Sequence, residues 1–383
     1  MNIQRFFIFS ILFLLLSCNG NKHDDISLGT GAQPFKNIQE ISKSISEELL
    51  QEYQKGTFEG SVLITHKSSI LLKESYGWAD QKRNLKNSSA SISDMGSIAK
   101  SYTAAAILQL IATKQFKLDD TIDSFFSEVP IDKKYITIKQ LLSHSSGMDN
   151  FHNESDFDVM SKEEAIQVIL AMPLIAAPNE KIVYSNAAYT LLAAIVEKST
   201  SQSFQEYVHQ NILLPLSLLD TGFYGDKHIS NERLTRGYGG EDSSSTTFEK
   251  GLTWALIGAG GMVSSLEDLN RWFLVLLDGS LFPYGFNNLA LLTVNNKWKL
   301  GNIRHFNSWG TDILYIGGST AYGYTAAVLH LPEYDINIVM MLNAYGDKYD
   351  NATHQKLNKN HIIPTLIKGG RVLKLPNKKL NEG

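Results

Sequence analysis

The sequence of 383 residues lacks several features that mark common protein classes. Its single cysteine, Cys18, excludes an intramolecular disulfide, a CxxC redox pair and a thiolate metal cage. Positive charge is not in excess, because the sequence has 35 lysines and arginines and 39 acidic residues. Nucleic acid is therefore not expected as a partner. With 43% hydrophobic and 19% charged residues, the composition excludes a disordered, collagen-like or multi-span membrane protein and allows a sizeable core.

The longest apolar run, from Phe6 to Leu16, is too short to span a bilayer. Its place at the N terminus is typical of a signal peptide over residues 1–17. The run ends in the letters LLSC, which resemble a bacterial lipobox, and this resemblance implies lipidation of Cys18. Residues 18–35 then form a polar tether, and the mature protein is expected to be an exported, membrane-anchored lipoprotein of the bacterial cell envelope, periplasmic or outer membrane. The alternative is a cysteine of the folded core.

Strand-like runs occur near both ends of the mature chain, and helical runs lie between them. The runs are a helix at 37–54, strands at 61–66 and 70–75, a helix at 97–113, several helices between 115 and 250, strands at 313–316, 325–330 and 336–342, and a helix at 353–367. This order predicts an α+β fold, in which one antiparallel sheet is flanked by helices and an α-rich insertion spans about 115–250. The folded domain is predicted over 36–370, followed by a polar tail at 371–383.

Motifs of several enzyme classes are absent. There is no G-x-S-x-G elbow, no P-loop, no H-E-x-x-H and no G-x-G-x-x-G after a strand. Ten histidines occur, but none pair at metal-ligand spacing on a clear helix, and His144, in a dense motif, is interpreted as structural. We therefore expect neither a metal nor an organic cofactor.

The segment Ser97-Ile-Ala-Lys100 opens the most apolar helix of the chain. A spacing of three residues puts both side chains on one helical face. A serine hydroxyl is a poor nucleophile until a neighbour takes its proton, and a lysine whose pKa is lowered by burial can do so. The pair is therefore a candidate nucleophile with its general base.

Two further segments supply polar groups. Tyr184 precedes Asn186 at another helix start, where the tyrosine could transfer protons and the asparagine could orient the lysine or a substrate amide. The alternative is a buried tyrosine beside an asparagine that caps the helix. Gly318 and Ser319 end a predicted strand, so the N–H of Ser319 could join that of Ser97 in an oxyanion hole. The alternative is a turn without a role in chemistry.

Together these segments resemble the serine β-lactamase and penicillin-binding-protein superfamily, in particular its class C-like branch of D-aminopeptidases, D-alanyl-D-alanine carboxypeptidases and esterases. The likeness runs from about Ser61 to Leu342, and Ile138 to Met148 is its most distinctive part. It implies a β-lactamase/transpeptidase-like fold. By position, it also implies these roles: Ser97 as the acylated nucleophile, Lys100 as its general base, Tyr184 as the second proton-transfer group, and Asn186, Gly318 and Ser319 around the substrate and its oxyanion.

One position departs from the family pattern. Ile316 stands where the third motif usually has a lysine or histidine that recognises a substrate carboxylate. The departure predicts a preference for neutral esters over β-lactams and D-alanyl peptides, unless another basic residue such as Arg304 or Lys299 reaches the carboxylate.

The function expected from the resemblance is that of an exported, lipid-anchored serine hydrolase that acts on a small-molecule or peptide ester or amide through an acyl-serine. The alternative is a catalytically inactive binding lipoprotein on the same fold. Apart from the substrate and the membrane, no obligate protein partner is expected.

Overall fold

The computed structural model describes residues 35–150, 159–240, 252–278, 281, 300–344 and 353–373. The predicted signal peptide, Cys18, nearly all of the tether and Lys299 lie outside the described residues. In the described part of the chain, no helix is long and apolar enough to cross a membrane. The same ranges contain no group of three or more histidine, cysteine, aspartate or glutamate side chains that could hold a metal ion.

Strands from both ends of the chain frame a helical middle. The strands are β1 (Gly60–His66), β2 (Ser69–Tyr76), β3 (Trp78–Asp80), β4 (Leu85–Lys86), β5 (Ser93–Asp94), β6 (Gly222–Phe223), β7 (Met262–Ser264), β8 (Arg304–Ser308), β9 (Thr311–Ser319), β10 (Thr325–Leu331) and β11 (Ile336–Leu342). The longer helices are α1 (Ile38–Gln54), α2 (Ala99–Ala112), α3 (Ile138–Leu142), α4 (Lys162–Ala171), α5 (Asn186–Thr200), α6 (Phe204–Val208), α7 (Leu266–Asp278), α8 (Thr353–Leu357), α9 (Ile363–Lys368) and α10 (Gly370–Leu373). Single helical turns lie at Gly96–Ile98, Ile122–Ser124, His209–Leu213, Leu300–Asn302 and Asn358–Ile362.

The main sheet has six antiparallel strands in the order β2-β1-β11-β10-β9-β8. Strand β1 near the start of the domain pairs with β11 near its end, with Gly60 opposite Leu342. This confirms the predicted fold class, in which strands from both ends share one antiparallel sheet. Two smaller sheets, β3-β4 and β5-β7-β6, lie outside it.

The sheet is apolar on both faces, because helices cover each of them. One face packs against α2, α5 and α7 in the larger core, and the other packs against α1 and the closing helices. Neighbours on β11 illustrate the alternation expected of a strand, since Val339 belongs to the larger core and Met340 to the other.

Helix α2 is buried on nearly all sides, as its apolar sequence predicts. Residues Ala99 to Leu108 are all buried, and small alanines on this helix pack close to those of α5. At its start, the Tyr102 and Trp272 rings stack with centroids 4.0 Å apart, and the Trp272 indole donates a hydrogen bond of 2.8 Å to Ser101. This packing fixes the first turn of α2, which carries Lys100.

Candidate active site

Ser97 lies in the single turn Gly96–Ile98 that leads into α2. Its Oγ is 2.6 Å from the hydroxyl oxygen of Tyr184 and 3.2 Å from Nζ of Lys100. Ser97 is half-buried, whereas Lys100 is fully buried. The structure therefore brings together three residues that the sequence analysis singled out, two from one helix start and the third from a distant segment.

The Lys100 side chain is held by acceptors on two sides. Its Nζ donates to the carbonyl oxygen of Ala259 at 2.8 Å and also to Ser97 Oγ. The same nitrogen lies 4.9 Å from the ring centroid of Tyr184 and 5.7 Å from that of Tyr189. An amine fixed in this way is placed to exchange a proton with the serine hydroxyl.

Tyr184 immediately precedes α5, and the helix cap fixes its position. Ser185, not Asn186, caps the helix: its hydroxyl accepts the N–H of Ala188 at 3.0 Å. The alternative in which the asparagine is the cap is therefore wrong. Asn186 is the first helical residue, is only 6% exposed, and donates its backbone N–H to the Asn150 side chain at 3.2 Å.

His144 lies against the tyrosine of the site. Its ring centroid is 4.6 Å from that of Tyr184, and its Nδ1 accepts the backbone N–H of Ser185 at 3.2 Å. Burial holds the pKa of His144 well below its usual range, and the positive charges of Lys100 and Arg304 lower it further. The imidazole is therefore neutral, with Nδ1 as acceptor and the proton on Nε2. His144 thus contacts the Tyr184 segment and holds it through the hydrogen bond to Ser185.

The end of β9 passes directly against the nucleophile turn. A Cβ atom on Gly318 would lie 2.6 Å from the backbone nitrogen of Ser97, and one on Gly96 would lie 2.8 Å from that of Ser319. Gly96 also has a φ of +53°, which favours glycine. The backbones of the two segments therefore lie in direct contact beside the nitrogens of Ser97 and Ser319.

Asp94, at the end of β5, holds the nucleophile turn and was missed by the sequence analysis. The side chain is 3% exposed. One carboxylate oxygen accepts the Gly96 N–H at 2.6 Å, and the other accepts the Tyr224 hydroxyl at 2.9 Å. An acidic residue three positions before Ser97 is a signal that could have been read, because a carboxylate buried beside the nucleophile requires hydrogen-bond partners.

Ile316 lies on the same face of β9 as Gly318, the face that is turned towards the nucleophile turn and α2. Its side chain is 1% exposed and belongs to the larger core on the α2 side. Its neighbours Tyr315 and Gly317 lie on the opposite face, because side chains alternate along a strand. The position that carries a cation in the resembled family is therefore filled here by a core residue.

Comparisons with known proteins identify the family of the chain. The beta-lactamase family model matches residues 46–359, well over half of the chain. "Protein flp" of Staphylococcus aureus (strain N315) is 29% identical over 328 residues, which are 80% of this chain and 63% of that protein. The chain thus spans less than two thirds of the length of this relative.

Two solved structures share the fold. D-amino acid amidase from Ochrobactrum anthropi SV3 superposes with a TM-score of 0.73 at 17% identity, over 87% of this chain and 99% of that one. A class C beta-lactamase variant gives a TM-score of 0.71 at 16% identity, over 87% of this chain and 100% of that one. The protein belongs to the beta-lactamase family of serine hydrolases and has the beta-lactamase/transpeptidase-like fold.

Proposed function

We propose that the protein hydrolyses an ester or amide through an acyl-serine intermediate on Ser97. The observation that carries this proposal is the position of Ser97 Oγ between Lys100 Nζ at 3.2 Å and the Tyr184 hydroxyl at 2.6 Å. A nucleophile within hydrogen-bond reach of two groups that can accept its proton is the arrangement that covalent catalysis requires.

In the first half of the reaction, Ser97 attacks the substrate carbonyl while its proton passes to Lys100 or Tyr184. The developing oxyanion receives hydrogen bonds from the backbone N–H groups of Ser97 and Ser319. The bond to the alcohol or amine then breaks, and the stored proton passes to this leaving group. Asn186, at the start of α5, would contact the substrate beside Tyr184.

In the second half, water attacks the acyl-serine, and the same groups transfer its proton in reverse. The acid leaves and the serine hydroxyl is restored. The names of the two solved neighbours, an amidase and a beta-lactamase, support acyl transfer in general for this chain. They do not choose between ester and amide.

Labelling with a fluorophosphonate probe or a fluorescent penicillin tests the proposal. We expect covalent labelling of the wild-type protein at Ser97 and none of a Ser97→Ala variant. Ser124→Ala, which changes an exposed serine, is the control and should still be labelled. Labelling that persists in the Ser97→Ala variant would show that another residue is the nucleophile.

A second candidate function is a binding lipoprotein without catalysis. Ile316 motivates it, because the third motif carries no cation at this place. A protein that folds normally but gives neither labelling nor hydrolysis of any ester or amide would favour this alternative.

We also propose that the protein is exported and anchored in the bacterial cell envelope through a lipid on Cys18. The LLSC sequence before the tether supports this proposal. Intact-mass analysis of the membrane fraction should find a lipidated mature N terminus. A Cys18→Ala variant should lose the lipid. A soluble mature wild-type protein without a lipid would contradict the anchor.

A further inference from the structure

The turn at residues 256–260 contacts both Lys100 and helix α5. Gly258 in this turn has a φ of +82°, which favours glycine. A Cβ atom there would collide with the carbonyl oxygen of Tyr189 and would lie 2.8 Å from the Cβ atom of Ala193. The turn is therefore packed tightly against α5, the helix that Tyr184 immediately precedes.

Two neighbouring carbonyl groups of this turn accept hydrogen bonds from one face of α2. Nζ of Lys100 donates to the carbonyl oxygen of Ala259 at 2.8 Å, and Oγ1 of Thr103 donates to that of Gly258 at 2.7 Å. Thr103 is only 1% exposed, and Lys100 is fully buried. A spacing of three residues places the two donors side by side on the helix. The lysine and the threonine therefore bind the same turn at adjacent positions.

The peptide group between Gly258 and Ala259 is hydrogen-bonded on both sides. Its oxygen accepts the Thr103 hydroxyl, and its N–H donates to the carbonyl oxygen of Leu256 at 3.0 Å. In the next peptide group, the oxygen accepts Lys100 and the N–H donates to the same Leu256 oxygen at 2.8 Å. Because peptide groups are planar, bonds on both sides fix the direction of each carbonyl. The acceptor of Lys100 is thus directly connected to the carbonyl that Thr103 holds.

We propose that Thr103 is a positioning residue for Lys100 and thereby sets the rate at which Ser97 is acylated. The inference rests on the proposed hydrolase function. The Thr103 hydroxyl fixes the Gly258 carbonyl and so directs the next carbonyl, that of Ala259, at the lysine amine. Thr103 acts through the lysine and not on the substrate.

The distance between the amine and the nucleophile explains why its position matters. Nζ of Lys100 lies 3.2 Å from Ser97 Oγ. This distance is at the upper end of the range of about 2.6–3.2 Å in which a general base takes a proton. The rings of Tyr184 and Tyr189, with centroids 4.9 and 5.7 Å from Nζ, attract the charge but leave its direction open. The directed hydrogen bond to Ala259 keeps the amine within reach, and a displacement of about 1 Å can cost on the order of 10²-fold in rate.

Removal of the Thr103 hydroxyl tests the proposal. Thr103→Val replaces the hydroxyl by a methyl group at nearly constant volume. In the full chain, we expect the single-turnover rate of acylation by 4-nitrophenyl acetate to fall about 10- to 100-fold, because the amine is displaced. The substrate concentration at half-maximal rate should change less than about twofold, because substrate contacts remain. Thr103→Ala removes the same hydroxyl and should give the same result if the valine variant fails to fold.

Two variants separate the hydrogen bond from packing. Thr103→Ser keeps the hydroxyl and should restore most of the acylation rate. Thr190 on α5 is also fully buried, and its hydroxyl has no hydrogen-bond partner within the residues that the structure describes. Thr190→Val makes the same chemical change and should leave the rate unchanged. An unchanged rate in Thr103→Val, equal slowing by Thr190→Val, or no recovery in Thr103→Ser would overturn the positioning role.

Crystal structures of the variants separate this inference from the proposed function, because they require no turnover. We expect Nζ of Lys100 to leave the Ala259 carbonyl in Thr103→Val and to return to it in Thr103→Ser. An amine at its wild-type position in Thr103→Val would overturn the positioning role whatever the activity. A displaced amine in that variant, together with a wild-type protein that no ester acylates, would overturn only the hydrolase.

Discussion

The hydroxyl oxygens of Ser97 and Tyr184 lie 2.6 Å apart, although 87 positions separate the two residues in the sequence. Ser97 belongs to the turn before α2, and Tyr184 belongs to the segment before α5. The packing of these two helices therefore sets the distance over which a proton would pass. Changes in the helix contact should affect the chemistry even where they touch no substrate.

Replacement of Lys100 should be as damaging as replacement of Ser97, because a nucleophile and its base act as one unit. We expect Lys100→Met and Ser97→Ala each to abolish measurable ester hydrolysis, and the double variant to be no worse than either single variant. The measurement is single-turnover acylation with a 4-nitrophenyl ester. Defects that multiply in the double variant would mean that Lys100 acts independently of Ser97.

Tyr184→Phe removes one hydroxyl and keeps the ring that packs on His144. We expect kcat to fall about 10²- to 10⁴-fold with little change in KM, because proton transfer is lost while binding contacts remain. The control is Tyr189→Phe on α5, whose hydroxyl bonds Leu142 at 2.8 Å and Gly301 at 3.1 Å. It should cost about 0.5–1.5 kcal/mol of stability per lost hydrogen bond and affect kcat less. Equal kcat losses would contradict the assigned role of Tyr184.

The buried His144 should make the folded state sensitive to acid. Its pKa in the fold lies well below that of a free histidine, because of burial, so the unfolded chain binds the proton more readily. The stability of the fold is therefore fully present above the unfolded pKa and falls as the pH drops below it. Urea unfolding at about pH 7.5 and about pH 5.5 should show this loss, and a His144→Asn variant should show a smaller one. An identical pH dependence in the variant would contradict the explanation.

Asp94 is expected to act by positioning, without contact with the substrate. Asp94→Asn retains an acceptor for the Gly96 N–H, whereas Asp94→Ala leaves that buried N–H and the Tyr224 hydroxyl without this acceptor. We expect Asp94→Ala to lower kcat much more than KM and to lose about 1–3 kcal/mol of stability. Asp94→Asn should recover part of both. A variant with normal kcat despite lost stability would show that the residue supports only the fold.

The large elements could be predicted because their patterns are long. Helix α1 has 17 residues with a periodic apolar pattern, and α2 is apolar on nearly all sides. Strands β1, β10 and β11 are long apolar runs. The short strands β5, β6 and β7 could not be predicted. Two or three residues carry no period, and these strands exist only because distant segments meet.

At the candidate site, the sequence predicted which residues take part, but not on which face of a strand each side chain lies. The serine, lysine and tyrosine form a recognisable set in sequence, and the structure brings them together. Which face Ile316 occupies depends on the strand register, which no local pattern fixes.

The pairing of β1 with β11 also has a kinetic consequence. Because Gly60 lies opposite Leu342, the central sheet closes only after nearly the whole domain has been synthesised. Such a high contact order predicts slow folding. The helical segments around α2 and α5 can form earlier through shorter-range contacts. The strand end at Ser319 then docks against the Ser97 turn as a late event, so the complete site should appear together with the final tertiary packing.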